Sequence, residues 1–183
     1  MVVKILVGLA LLVVLVGAVV AILAAFQPSE FRVMRTTTMA APPAAVFAQV
    51  NDLHNWEAWS PWAKLDPTAK NTFEGPAAGT GAAFAWSGNS KVGEGRMTIT
   101  ESRPSELVRI KLEFVRPFAA TNTAEFAFKP AGGGTAVTWS MYGHNNFIAR
   151  AFCLFVSMDK ALGGEFEKGL ASMKSAAEAA AKS

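Results

Sequence analysis

The 183-residue chain is 51% hydrophobic, and much of the excess lies in Ile5–Phe26, where Gly8 and Gly17 are the only residues outside the apolar set. Without that stretch the apolar share falls to about 45%, ordinary for a globular domain. A net charge of +3 with no run of Lys and Arg excludes a nucleic-acid reader built on a basic patch. The single cysteine, Cys153, excludes an intramolecular disulfide framework and a cysteine zinc site.

As a helix, Ile5–Phe26 would run about 33 Å, enough to cross a hydrocarbon core of about 30 Å. A secretory signal has a shorter apolar region, about 7–15 residues, followed by a small-x-small pattern that Leu23-Ala24-Ala25 matches poorly. Residues 1–27 are therefore expected to form a retained single-span membrane anchor or an uncleaved signal-like segment, and residues 28–183 one soluble domain. Gly8 and Gly17 lie too far apart for a four-residue helix-dimer face. Lys4 on one side and Arg32 and Arg35 on the other nearly balance the positive-inside rule, and the reading preferred places the soluble domain on the non-cytoplasmic side. Gln27-Pro28 ends the helix.

Phe31–Met39 suits a strand. Pro42-Pro43 opens a short helix through Val50, because proline's missing N–H costs nothing in a first turn. Asn51–Trp62 is a loop or second short helix carrying Trp56, Trp59 and Trp62. The pattern then changes to period 2: Phe84 and Trp86; Met97 and Ile99; Val108, Ile110, Leu112 and Phe114; Phe126 and Phe128; Val137, Trp139 and Met141. Turn signals separate the runs at Gly88-Asn89, Arg103-Pro104-Ser105, Arg116-Pro117 and Gly132-Gly133-Gly134, which predicts an antiparallel meander with one apolar and one wet face. After Gly143 the period turns helical. Met158, Leu162, Phe166, Leu170 and Met173 make one stripe, and this helix should cover the apolar face of the sheet. The Ala-rich end, Ala176–Lys182, is expected to fray.

The order of elements is that of the helix-grip fold, an α+β class with a curved antiparallel sheet, two short helices and a long C-terminal helix. The local sequence agrees. Ala41-Pro42-Pro43-Ala44-Ala45-Val46-Phe47 and Asn55-Trp56 through Trp59-Ser60-Pro61-Trp62 resemble the opening of the polyketide cyclase/dehydrase branch of the START-like (SRPBCC) superfamily. Gly93-Glu94-Gly95-Arg96-Met97, Thr135-Ala136-Val137-Thr138-Trp139, Met158-Asp159-Lys160 and Phe166-Glu167-Lys168-Gly169-Leu170 extend the resemblance over residues 31–175. It implies a deep apolar cavity between the sheet and the last helix, and it does not supply a reaction. The ligand-binding candidates are Phe84, Trp86, Met97, Ile99, Ile110, Leu112, Phe126, Trp139, Met141, Met158, Leu162 and Phe166, core residues first of all, whose walls suit lipidic or aromatic ligands.

Catalytic motifs are sparse. His54 and His144 have no second histidine at metal-ligand spacing, and Asp52 and Glu57 beside His54 read as polar groups on an exposed loop, so no metal or cofactor is expected. Cys153 falls in the apolar run Ala151–Val156, where a buried cysteine acts as a small hydrophobe. Gly132–Gly134 precedes a strand, so it is a hairpin turn and no phosphate cradle. Acid–base candidates are Tyr142 and His144, or Arg96 and Glu94, although period 2 puts Tyr142 opposite Trp139 and Met141. Three functions follow: a membrane-anchored carrier of a hydrophobic small molecule such as a lipid, a cyclase- or dehydratase-type enzyme implied by the resemblance alone, and a tethered module that docks a protein through Trp56, Trp59 and Trp62. The first is preferred, with an apolar ligand, a membrane contact through Ile5–Phe26 and no nucleic acid as partners.

Overall fold

The computed structural model describes residues 2–182. Helix α1, Val2–Phe26, leads into β1, Glu30–Met39, and then α2, Pro43–Asn51, with Pro42 at its N-cap. A single 3-10 turn, Leu53–Asn55, runs into α3, Trp56–Trp59. Six strands follow: β2 Lys70–Glu74, β3 Ala83–Ser87, β4 Glu94–Arg103, β5 Leu107–Arg116, β6 Ala120–Ala131 and β7 Gly134–His144. Helix α4, Phe147–Cys153, and the long α5, Met158–Ala180, complete the chain. This is the α+β helix-grip architecture expected from the sequence.

All strand pairs are antiparallel in one seven-stranded sheet, ordered β1-β7-β6-β5-β4-β3-β2. The first strand closes the edge beside the last because its Val33 and Met39 share the apolar face with Val137, Trp139 and Met141. Register shifts in β4 between Glu94 and Gly95 and between Ile99 and Glu101 bend the strand, which helps the sheet curl around its cover. On the convex side Arg109 joins Glu101 and Glu125, and the Glu125 hydrogen bond raises the Arg109 pKa. The Tyr142 hydroxyl also donates to Glu125, so Tyr142 faces the wet side as its parity requires.

Helix α5 lies on the concave face and runs alongside β1. Arg35, on β1, pairs with Asp159 and Glu167 of α5, and the backbone N–H of Ala40 donates to Glu178 near the helix end at 2.7 Å. That last contact corrects the expected fraying: α5 continues to Ala180, with Ala177 buried. The Ser157 hydroxyl accepts from the Lys160 N–H and Asp159 sits in the first turn, which favours the helix start. Strand β2, whose five residues are all exposed, had no periodic signal of its own and forms by pairing with β3.

The tryptophan-rich segment is explained by helix ends. The last carbonyls of a helix lack internal donors, and here Ala48, Gln49 and Val50 accept from Asn55 Nδ2, Trp59 Nε1 and Trp56 Nε1 at 2.9–3.0 Å. Trp56 and Trp59 are thereby drawn into the core. Of the three tryptophans proposed as a docking face, only Trp62 keeps substantial exposure.

Candidate functional site

The concave face and α5 enclose a layer that is closed at one end and open at the other. At the closed end Trp139 stacks between Phe126, at 4.9 Å, and Phe166, at 4.1 Å with ring planes 7° apart. Trp59 meets both Phe126 and Trp139 edge-on, and Trp62 does the same to Trp139 and Phe166. Gly169 permits this closeness: a methyl group there would lie 2.8 Å from the Trp139 ring and 3.1 Å from Pro61. The indole N–H of Trp139 is buried without a hydrogen-bond partner among the described residues.

The other end is the one at which α1 departs, formed by Glu30, His144, Ala120, Arg116 and Glu94 at the strand termini. Here Phe31, Trp86, Leu112, Phe114, Met158 and Leu162 pack against the core while each keeps part of its surface exposed. Asn122 sits in the same row, paired across the sheet with Leu112 and Gly143. Its side chain lies close over Gly143, where any Cβ would overlap it, and is mostly buried. No protein group hydrogen-bonds its amide among the described residues, so a donor and an acceptor are free at the open end. Arg35, on the same face but level with Trp139 rather than with Asn122, is saturated: two carboxylates hold it, raising its pKa and lowering that of Asp159.

The twelve ligand-binding candidates divide along this line. Met97, Ile99, Ile110, Phe126, Trp139, Met141 and Phe166 are buried core, whereas Phe84, Trp86, Leu112, Met158 and Leu162 are partly exposed. Sequence reasoning missed Phe31, Phe114 and Asn122 as members of the open end. Counting back by two from Phe126 through Ala124 would have found Asn122. Two external clefts also exist. One of about 380 Å³ runs past Trp62, Lys64, Leu65, Glu165, Lys168 and Ser172; the other, of about 310 Å³, includes Thr72, Ala85, Trp86 and Arg96.

The remaining candidates do not join the apolar row, although Glu94 and His144 stand at strand termini beside it. Arg96 pairs with Glu74 and Glu94 with Arg116, both at the outer side of the sheet. His144 stands exposed at the end of β7, 3.3 Å from Glu30. His54 bonds Asp52 at 2.8 Å and stacks on Phe73, and Glu57 takes no part. No cluster of three metal-ligating side chains occurs among the described residues. Cys153 departs from expectation: it is half-buried on α4, a helix with no buried residue at all.

The first helix, Val2–Phe26, is long and apolar enough to cross a membrane. Its final turns are not free. Ala24 is fully buried, and Arg150 of α4 donates to the Ala25 carbonyl at 3.2 Å.

Comparison with known proteins agrees with this geometry. Residues 30–178 match the family model described as polyketide cyclase / dehydrase and lipid transport. No curated protein matches the chain. Among solved structures, a protein of unknown function from Staphylococcus aureus, SA2116, superposes with a TM-score of 0.63 at 12% identity, covering 87% of this chain and 99% of its own. The Aha1 dimer from Colwellia psychrerythraea gives 0.57 at 13%, over 81% of this chain and 96% of its own. Protein CV1439 from Chromobacterium violaceum gives 0.57 at 15%, over 82% and 98%. At these identities the likeness is one of fold.

Proposed function

Because the chain belongs to the polyketide cyclase / dehydrase and lipid transport family, we propose that it binds a hydrophobic small molecule, of lipid-like character, at the open end of the sheet–helix layer. Helix α1 holds the domain at a membrane, with the domain on the non-cytoplasmic side. The observation that carries this reading is the half-exposed apolar row of Phe31, Trp86, Leu112, Phe114, Met158 and Leu162 around one unpartnered amide, Asn122. Apolar walls with a single polar group that fixes orientation are the usual make-up of a lipid or aromatic-ligand site. The charged group on the same face, Arg35, is already committed to α5, and an amide does not titrate, so the site is suited to holding a ligand.

The test is gentle purification of the full chain in detergent, then native mass spectrometry and solvent extraction. One apolar species at near-stoichiometric occupancy is the expected result. A protein that is empty and leaves apolar fluorescent probes in water would overturn the reading.

A further inference from the structure

Helix α4 and the turn after it carry ten residues, Phe147–Val156, of which only Arg150 is charged, yet none is buried. Ile148, Phe152 and Phe155 are 70%, 57% and 76% exposed, at steps of four and three that place them on one side. Phe26, the last residue of α1, is 84% exposed. Phe118, in the β5–β6 turn at the same end of the sheet, is 74% exposed. Large apolar side chains gathered so densely at one end are unfavourable against water, and a contiguous patch of this kind marks a surface that is covered in use.

The occupant follows from what α4 touches. It packs on the last turns of α1, where the Arg150 guanidinium meets a terminal carbonyl of the apolar helix. If α1 spans the bilayer, its end at Phe26 lies at the interface, and α4 lies beside it at the same depth. We infer that α4 and the Phe155 turn insert into the interfacial layer of that bilayer, so that the open end of the ligand layer faces lipid directly. A helix apolar around most of its circumference with one cation near the headgroups is suited to that position. The inference rests on the reading of α1 as a membrane anchor. It adds a second, independent contact that fixes the domain's orientation, and a route for an apolar ligand that avoids water.

The experiment uses the full chain with Cys153→Ala, reconstituted in vesicles of mixed phosphatidylcholine and phosphatidylglycerol. Single spin labels are placed through Leu12→Cys in α1, Ile148→Cys and Phe155→Cys on the inferred surface, and Lys111→Cys on the convex face. Oxygen, which concentrates in lipid, should relax the labels at Ile148→Cys and Phe155→Cys at least about threefold more than that at Lys111→Cys, with a water-soluble nickel chelate giving the reverse order. A lipid-like signal at Leu12→Cys with water-like signals at both α4-side positions overturns the insertion and leaves the anchor standing. Water-like signals at all four positions overturn both. Labels near α4 shielded from oxygen and chelate alike reveal a protein contact, a second copy or another partner, and also overturn it.

Discussion

Along α5 a single apolar stripe meets two different surroundings. Its second half, Phe166, Leu170, Met173 and Ala177, is buried against rings that stack and interlock, while its first half, Met158 and Leu162, stays partly open. The spacing of the stripe is the same throughout, so the difference comes from what lies across from it. At the closed end, Gly169 and the α3 tryptophans let aromatic planes approach within van der Waals distance. At the open end, Gly143 and Gly95 occupy sheet positions where side chains could otherwise reach across, with Asn122 and the Trp86 ring over them. Stability is thus concentrated at one end of the layer, and unfilled apolar surface at the other.

The sharpest way to break that comparison is to remove matched side chains from each end. Phe166→Ala should cost about 3–5 kcal/mol by loss of transfer energy and a cavity under Trp139, whereas Leu162→Ala, at a half-exposed site, should cost only about 1 kcal/mol. Urea unfolding of the full chain in detergent, followed by near-ultraviolet dichroism, measures both. Equal losses would mean that the two ends are packed alike. The glycines of α5 sharpen the contrast further. Gly169→Ala should lose about 1–3 kcal/mol because the methyl presses on a ring fixed by stacking on both faces. Gly164→Ala, in open space on the same helix, should gain about 0.5–1 kcal/mol from helix propensity.

A filling substitution asks the functional half of the question. Leu162→Trp should leave the unfolding midpoint nearly unchanged, since the position is not closed in, and should abolish near-stoichiometric copurification of an apolar ligand. Full occupancy retained in this variant would move the binding site away from the open end.

The fold was largely legible because periodicity reports directly on which side of an element is dry. The period-2 runs at Val108–Phe114 and Val137–Met141 and the stripe on α5 each correspond to an observed element with the expected face inward. Two parts of the molecule were not legible, for different reasons. Composition alone places Ala151–Val156 inside a core, but hydrophobicity does not say whether the apolar environment is protein or lipid, and α4 is exposed. The division of the twelve apolar candidates into packed and open sets depends on ring geometry and on where glycines fall opposite them. Neither is encoded in the period. Asn122 was within reach by parity, but a polar residue in an apolar row carries no hydrophobic signal.

The smallest effect expected concerns how the first half of α5 is held to the edge strand β1. Arg35 reaches from β1 into the space left by Gly163 and is held there by Asp159 and Glu167. Its hydrogen bond to Asp159 lowers that carboxyl's pKa below the ordinary value of 3.8. A carboxylate depressed on folding contributes stability that is fully present above its unfolded pKa and is lost as pH falls through the lower folded value. The Asp159 contribution should therefore be constant near neutrality and fade only below about pH 4. Asp159→Asn should flatten that acid limb and lower the neutral-pH midpoint by the same small amount, small because the Asp159 carboxylate is largely exposed to solvent. Gly163→Ala offers the complementary variant. Its methyl displaces the flexible end of Arg35, so the gain in helix propensity offsets the lost pairing, and the acid limb should flatten as in Asp159→Asn. If Gly163→Ala instead loses as much stability as Gly169→Ala, Arg35 is as firmly fixed against α5 as the stacked rings are at Gly169, and the end of that side chain is not free to give way.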